Sequence, residues 1–398
     1  MIIRQTPCFN LTDLFSKDNI NHDVFPLGSK NSYLFYGARY AIWAGLKALG
    51  ITPGHNILIP SYNCGTEIDP VLDQKIQVKY YRINRNMTID FDDLRKQIDE
   101  HTSAILIIHY MGFPQPVEEI KNICKTKGIF LIEDCAHAFL STYKSKPLGT
   151  FGDISVFSIR KTIPIPNGGA LAINNAKFKY EGSEVNGSFL SPLFVSVELL
   201  KNKTQKSTSY PVLKLRSIFI FIISLMSYSI QLFLRVLRKI SLYKGLALIH
   251  INYYCRDFRR ELVRWKISNL SMKIMSHMNP EKIKEQRRNN YEYLLTSLRN
   301  FKDIDIVFNS LPEGVCPLFF PIIVKDRQNY YQKFKEKGIT LFQYWRHMHH
   351  NVPWDKFPEA VFLKSHILGL PVHQDISFNH LDRIIEVFED IQRNAIER

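Results

Sequence analysis

The sequence predicts an α/β fold in which helices cover a mostly parallel sheet. Helix-like and strand-like segments alternate over residues 38–185. Several of the strand-like segments are short apolar runs, as expected of parallel strands buried on both faces. Polar side chains follow directly after several of these runs. In such folds the functional groups lie at the carboxyl ends of the strands, so the site is expected at that edge of the sheet.

The elements of this region follow one another in a regular order. Residues 39–49 have the apolar spacing of a helix, and Gly50 follows as a residue that ends helices. The run 56–60 is a short apolar strand that ends at a proline. The same reasoning predicts further strands at 77–81, 104–109, 129–132 and 154–159, and helices at 91–98 and 117–127.

In the C-terminal part, the order of helix-like and strand-like segments is different and predicts a smaller α+β domain. A basic amphipathic helix at 281–298 is followed by short strands at 304–308 and 319–324, and by helices at 328–337 and 381–392. With 398 residues the chain is too long for one simple core. We therefore expect a large domain (1–185), a helical insertion (186–278) and a small C-terminal domain (279–398).

Composition limits the class of protein and its location. Apolar residues make up 45% and charged residues 22% of the chain, which is typical of a folded protein. The six cysteines form no CxxC pair, which argues against a disulfide framework or a zinc site and favours a reducing cytoplasm. The first residues contain no sustained apolar run, so no cleaved signal peptide is expected and the location predicted is cytoplasmic.

The net charge of +15 and an apolar run in the insertion point toward a membrane surface. Residues 217–234 are uncharged and have basic neighbours on both sides. A helix of that length measures about 27 Å, which is borderline for crossing a bilayer. We expect the region 213–245 to be membrane-associated through peripheral contact at the inner face, and the alternative is a dimer interface or a buried helical hairpin. No nucleic-acid-binding motif is present, so nucleic acid is not an expected partner.

The segment 130–169 (FLIEDCAHAFLSTYKSKPLGTFGDISVFSIRKTIPIPNGG) carries the chemistry of the chain. Asp134 follows an apolar strand, and Lys161 follows a second strand fewer than thirty residues later. An enzyme that uses pyridoxal 5′-phosphate (PLP) needs a carboxylate to hold the pyridinium proton and a lysine to form a Schiff base. The pair therefore predicts a PLP site.

The chain resembles the DegT/DnrJ/EryC1/StrS family of sugar aminotransferases, which are fold-type I PLP-dependent enzymes. The similarity covers about 37–178 well and 279–395 more loosely. It rests on the segments GARYAIWAGLKALGITPGHNILIPSYN, IDFDDLRKQI, AILIIHYMGFPQPVEEIKNICKTKGIFLIEDCAHA, LGTFGDISVFS and GGALAINN.

The resemblance implies a role for each matching residue. Asp134 matches the cofactor aspartate, His137 a residue against the cofactor ring, and Ser158 a serine that binds the cofactor phosphate. Lys161 matches the Schiff-base lysine by its distance to the Gly168–Gly169 pair. The family usually has five positions from that serine to the lysine, whereas here there are three, and Lys144 and Lys146 are the fallback lysines.

Other positions depart from the family. Ala38 and Arg39 replace a Gly-Thr pair at a helix start, where backbone N–H groups and the helix dipole favour a phosphate. Cys64 stands in place of a ring-stacking aromatic residue, and Tyr62 is the nearby replacement. His109 is expected to be a structural hydrogen-bonding residue.

The histidine-rich segment 345–350 has three possible interpretations. It resembles a metal cluster, but no carboxylate is evident beside it, and we predict no metal site in the chain. The family places substrate-facing residues in this region, so contact with the substrate or a partner subunit is one alternative. A surface loop is the other.

By resemblance, the chain is an aminotransferase (transaminase) that converts a keto-sugar, expected to be nucleotide-linked, into an amino sugar. An amino acid such as glutamate would be the donor, a homodimer the assembly, and surface polysaccharide biosynthesis the pathway class. A different PLP reaction on the same scaffold remains open. So does a catalytically silent relative that acts as a membrane-associated partner in glycan assembly.

Overall fold

The structure is a computed structural model that describes residues 2–8, 24–182, 185–186 and 258–396, with side chains up to residue 393. The apolar run and the surrounding region 213–245 lie outside the described residues, so their membrane contact stays a prediction. Among the helices that the structure describes, none combines the length and the apolar composition needed to cross a bilayer.

A seven-stranded sheet organises the described part of residues 24–182. Its strands lie in the order β1-β9-β8-β5-β4-β2-β3. Strands β2, β3, β4, β5 and β8 run parallel, whereas β9 is antiparallel to both of its neighbours, so the predicted mostly parallel sheet is confirmed. The strands are β1 (Ser32–Phe35), β2 (Asn56–Pro60), β3 (Gln77–Tyr81), β4 (Thr102–Ile108), β5 (Phe130–Asp134), β8 (Ile154–Phe157) and β9 (Gly169–Ile173), and a separate hairpin holds β6 (Thr142–Tyr143) and β7 (Lys146–Pro147).

Helices cover the sheet and explain why several of its strands are largely apolar. Every residue of β2 and β9 is buried. Helix α1 lies so close to β8 that a Cβ added at Gly45 would meet Ile154 Cδ1 at 2.5 Å. The helix at 117–127 ends at Gly128, whose φ of 68° suits a glycine. The helices are α1 (Ala38–Ala48), α2 (Asp69–Asp73), α3 (Phe91–Gln97) and α4 (Val117–Lys127).

A second, antiparallel sheet of three strands forms in the C-terminal part, as predicted for an α+β unit. Its central strand β11 pairs with both β10 and β12. The strands are β10 (Ile304–Ile306), β11 (Phe319–Val324) and β12 (Ile367–Pro371). The helices are α5 (Asn269–Met275), α6 (Pro280–Leu298), α7 (Arg327–Glu336), α8 (Pro358–His366) and α9 (Phe378–Ile396).

Residues 2–8 form an extended segment, here called the strap, that is fastened to the C-terminal part. Ile3 is fully buried, and its N–H donates to the Gly338 carbonyl at 3.0 Å. The Ile3 carbonyl accepts from Thr340 N at 2.9 Å. The backbone N–H of Cys8 donates to Asp375 Oδ2 at 2.8 Å. Both ends of the strap are therefore fixed by hydrogen bonds, with residues 4–7 between them.

Candidate functional site

Asp134 is the last residue of β5 and lies at the carboxyl edge of the large sheet. Its side chain is 3% exposed. One carboxylate oxygen accepts from Ala136 N at 2.8 Å, and the other has no hydrogen-bond partner among the described residues. Burial raises the pKa of Asp134 to about 7, assisted by the Glu67 carboxylate, while the Lys161 ammonium opposes the rise. A positively charged ligand group beside the free oxygen would stabilise the ionised form.

Lys161 comes to the same edge on a tight turn. Strand β8 ends at Phe157, and residues Ile159–Lys161 form a 3-10 turn in which Lys161 N donates to Ser158 O at 3.0 Å. The prediction of a strand up to residue 159 is therefore wrong by two residues, because the chain turns at Ser158. This turn accommodates the short spacing between the serine and the lysine. Lys161 is half-buried and lines a cavity of about 330 Å³ together with His137.

His137 is buried three residues beyond Asp134. Its Nδ1 accepts from Met111 N at 3.4 Å, and its ring lies 5.3 Å from the Trp345 ring and 5.8 Å from the Tyr344 ring, centroid to centroid. Burial lowers its pKa well below 6.5, and the charge of Lys161 adds to this effect. His137 is therefore a neutral ring that can pack against another aromatic ring, and because its Nδ1 already accepts from Met111 N, its Nε2–H can donate one further hydrogen bond.

The start of α1 lies beside β9 at this edge. Gly37 is the N-cap and provides no side-chain cap, so the N–H groups of Ala38 and Arg39 begin an eleven-residue helix. A Cβ added at Gly169 would lie 2.2 Å from Gly37 C and 2.3 Å from Ala38 N. Glycine at this position allows the backbone of β9 to touch the helix start. Ser158 directly follows Phe157, which pairs with Ala170, so the serine lies near this helix start.

These residues fit PLP. The free oxygen of Asp134 can receive a pyridinium N–H, and Lys161 supplies an amine. The Ser158 hydroxyl, 4% exposed and without a hydrogen-bond partner among the described residues, can donate to a phosphate, as can the first N–H groups of α1. The roles predicted for Asp134, His137, Ser158, Lys161 and the 38–39 pair stay predictions, now with a common location.

Cys64 does not act as a ring-stacking residue in this structure but lies in a small polar cluster. Its Sγ is 3.1 Å from both carboxylate oxygens of Glu67. Burial, together with Glu67, raises the pKa of the Cys64 thiol to about 12. Tyr62 is fully buried, 4.8 Å from the Trp345 ring, and its hydroxyl has no hydrogen-bond partner among the described residues. Its replacement of the ring-stacking aromatic residue stays a prediction.

Two further residues that sequence reasoning missed hold the site together. Lys364 on α8 is 3% exposed and donates to the carbonyls of Asn63 at 2.6 Å, Trp345 at 3.1 Å and His347 at 2.9 Å. Arg287 on α6 is 1% exposed and donates to the carbonyls of Thr162, Pro317 and Leu318 at 3.1 to 3.2 Å. Both lie on helices whose pattern suggests a solvated basic residue, so the sequence carried no signal for burial.

The histidines have structural partners. His109 Nε2 lies 3.0 Å from Glu133 Oε2 and its Nδ1 accepts from Gln115 N, which confirms its expected hydrogen-bonding role. The expectation that the 345–350 segment has no paired carboxylate is wrong, because His349 Nε2 lies 3.0 Å from Asp69 Oδ1. Its Nδ1 accepts from Asn351 N at 3.2 Å, so both ring nitrogens of His349 are engaged.

The fallback lysines lie elsewhere. Lys144 and Lys146 belong to the β6–β7 hairpin, and both are exposed. Lys144 Nζ forms an ion pair with Glu118 at 2.7 Å. Neither residue lines the cavity that contains Lys161. The structure therefore favours Lys161 as the lysine of the site.

Comparison with known proteins agrees with this geometry. Residues 27–182 match the sequence profile of the DegT/DnrJ/EryC1/StrS aminotransferase family. A curated relative, GDP-perosamine synthase of Escherichia coli O157:H7, is 34% identical over 144 residues, which cover 35% of this chain and 39% of the relative. The chain thus matches about two fifths of the length of that relative.

Solved structures extend the similarity in fold to nearly the whole chain. A DegT/DnrJ/EryC1/StrS aminotransferase from Brucella abortus covers 92% of this chain and 87% of its own, with a TM-score of 0.64 and 18% identity. The PMP form of a putative sugar aminotransferase from Streptococcus pneumoniae covers 98% and 99%, with a TM-score of 0.66 and 14% identity. Residues 27–182 are therefore similar in sequence to the DegT/DnrJ/EryC1/StrS aminotransferase family, and the chain shares its fold with these solved structures.

Proposed function

We propose that this chain is a PLP-dependent aminotransferase that forms an amino sugar from a keto-sugar. The observation that carries the proposal is the placement of buried Asp134 and half-buried Lys161 at one edge of the large sheet, near enough for the Lys161 ammonium to lower the pKa of the Asp134 carboxyl. A buried acid at a strand end beside a lysine is the arrangement that PLP chemistry requires. The nearby start of α1 adds a place for the cofactor phosphate.

Bound PLP supplies a ring that takes up negative charge from the carbon next to the reacting nitrogen. Asp134 would hold the proton on the ring nitrogen through its free carboxylate oxygen. Lys161 would attach the cofactor and then move a proton to and from the carbon that carries the transferred nitrogen. Neutral His137 would support one face of the ring, and Ser158 with the start of α1 would hold the phosphate.

The finer assignment concerns the substrates and the assembly. The name of the E. coli relative, GDP-perosamine synthase, supports an amino sugar carried on a nucleotide. We propose a nucleotide-linked keto-sugar as acceptor, glutamate as amino donor and a homodimer as the working assembly. Surface polysaccharide biosynthesis is the pathway class that would use such a product.

The test is an absorbance spectrum of the purified protein with PLP, before and after borohydride. Wild-type protein should show the band of lysine-bound PLP, and reduction should fix the cofactor to the peptide that contains Lys161, as read by mass spectrometry. Lys161→Ala should show neither. Lys146→Ala, which removes an exposed lysine outside the cavity, is the matched control and should behave as wild type.

A band that persists in Lys161→Ala would contradict the assignment of this lysine. Absence of any PLP band in the wild-type protein would contradict the enzyme assignment as a whole and favour the silent relative. Lys161-linked PLP with no transfer of an amino group from any amino acid would favour another PLP reaction on the same scaffold.

A further inference from the structure

The cavity that contains Lys161 has a second wall made by the strap. Residues 4–7 line the same cavity as His137 and Lys161. The strap is fixed on both sides of these residues: the Ile3 backbone pairs with residues 338 and 340, and the Cys8 N–H bonds to Asp375. The carbonyl of Arg4 itself lies 3.0 Å from His373 Nε2. These hydrogen bonds therefore fix the backbone of Arg4 at the wall of the cavity.

The side chain of Arg4 is half-buried and has no hydrogen-bond partner among the described residues. Its Nε is buried without a hydrogen bond, and no carboxylate forms an ion pair with Arg4 among the described residues. Leaving a buried donor of a charged group without a hydrogen bond is unfavourable. A guanidinium held in this state at a cavity wall is suited to an anionic ligand that completes its hydrogen bonds.

The charge of the cavity favours the same kind of ligand. Among the described residues that line it, Arg4, Arg160 and Lys161 are cationic and none is acidic. Leu318, Phe319 and Phe342 form an apolar side. The cationic residues of this cavity attract an oxyanion. The apolar side excludes water from part of the cavity, which strengthens that attraction.

We propose that Arg4 binds an oxyanion group of a substrate in the cavity that contains Lys161. The proposal rests on the proposed function and adds a binding residue to it. Two sources share this chemistry: a carboxylate of the amino donor and a phosphate of a sugar nucleotide. A planar guanidinium can engage either of them with two parallel hydrogen bonds.

The test is isothermal titration calorimetry of the PLP-supplemented full chain with two probes, succinate and inorganic phosphate. Arg4→Met should weaken binding of at least one probe by about ten- to a hundred-fold, the loss expected for charge-assisted hydrogen bonds. Arg383→Met is the matched control, because it removes the same charge from an exposed arginine on α9 that pairs with Glu386. It should bind both probes as wild type does.

Loss of succinate binding alone would identify the donor carboxylate, loss of phosphate binding alone the nucleotide phosphate, and loss of both a general oxyanion site. Unchanged binding in Arg4→Met, or equal weakening in Arg383→Met, would overturn the proposal. Arg4→Lys retains the charge but lacks the planar guanidinium, so its affinity for the probe should lie between those of wild type and Arg4→Met. This variant provides the test if Arg4→Met does not fold. The PLP spectrum of the same samples reports the proposed function separately.

Discussion

Asp134 shows how one buried carboxyl links the site to the pH dependence of stability. Burial and Glu67 raise its pKa from 3.8 to about 7 in the protein without cofactor. Between these values the folded protein holds a proton that the unfolded chain releases. The contribution of Asp134 to stability is therefore favourable at low pH and is lost as the pH rises from about 4 to about 7.

Asp134→Asn should remove this pH dependence. In the absence of cofactor, the free energy of unfolding of the variant minus that of wild type should increase by about 1 to 3 kcal/mol from pH 5 to pH 8. Each pKa unit corresponds to about 1.4 kcal/mol. Urea denaturation at both pH values measures the difference. The lowered pKa of His137 changes stability with pH in the opposite direction, but His137 is present in both proteins, so its contribution cancels in the comparison. Asp355→Asn, at an exposed position, is the control, and a pH-independent difference for Asp134→Asn would refute the argument.

At the scale of elements, the site depends on a close contact between the start of α1 and the start of β9. Gly169 is the residue that permits this contact. Because the neighbouring atoms belong to the backbone of residues 37 and 38, they cannot rotate away from a methyl group. The helix start, with its N–H groups, would have to move.

Gly169→Ala should therefore lower both stability and cofactor affinity. We expect a loss of about 1 to 3 kcal/mol in the free energy of unfolding from overpacking, and weaker PLP binding by the displaced N–H groups. Denaturation and a PLP titration measure the two effects. Gly128→Ala is the control: its added Cβ meets nothing within 4 Å, and it should cost only about 1 kcal/mol of left-handed backbone strain. Equal PLP affinity in both variants would contradict the role of Gly169.

The elements that the sequence predicted best are those with a strong local pattern. Strands β2 and β11 and helix α4 have their predicted bounds, because a continuous apolar run or a clear helical face defines them. Strands β1, β9 and β12 were missed. β9 begins with Gly169 and Ala170, and β1 is only four residues long, so their identity comes from pairing with each other and not from their own composition.

At the scale of the whole molecule, the site is assembled from distant parts of the chain. Asp134, His137, Ser158 and Lys161 lie in one segment and could be predicted from a local motif. Lys364, Arg287 and Arg4 could not, because only tertiary contacts bring them to the edge of the large sheet. Lys364 bonds to the carbonyl of Asn63 across 301 positions and so connects α8 to the loop after β2.

Lys364→Met should loosen this connection between the two sheets. Three buried carbonyls would lose their donor, so we expect a loss of about 2 to 4 kcal/mol in the free energy of unfolding. Burial lowers the pKa of Lys364 from 10.5 to about 8, so the free energy of unfolding of wild type relative to the variant should rise as the pH increases from about 8 towards 10.5, where only the unfolded chain keeps the proton. Denaturant titration provides the measurement, with exposed Lys335→Met as the control. If Lys364→Met lowers the free energy of unfolding no more than Lys335→Met does, the three hydrogen bonds of Lys364 do not contribute to stability.

The strap has a consequence for how the chain is made. Arg4 and His373, which its fastening brings together, are 369 positions apart. At about 5 to 20 residues per second, a ribosome needs roughly 20 to 70 s to synthesise the interval. For most of that time the strap lacks all of these partners, because Gly338, Thr340, His373 and Asp375 all lie beyond residue 337. The wall of the cavity that the strap provides can therefore form only near the end of synthesis.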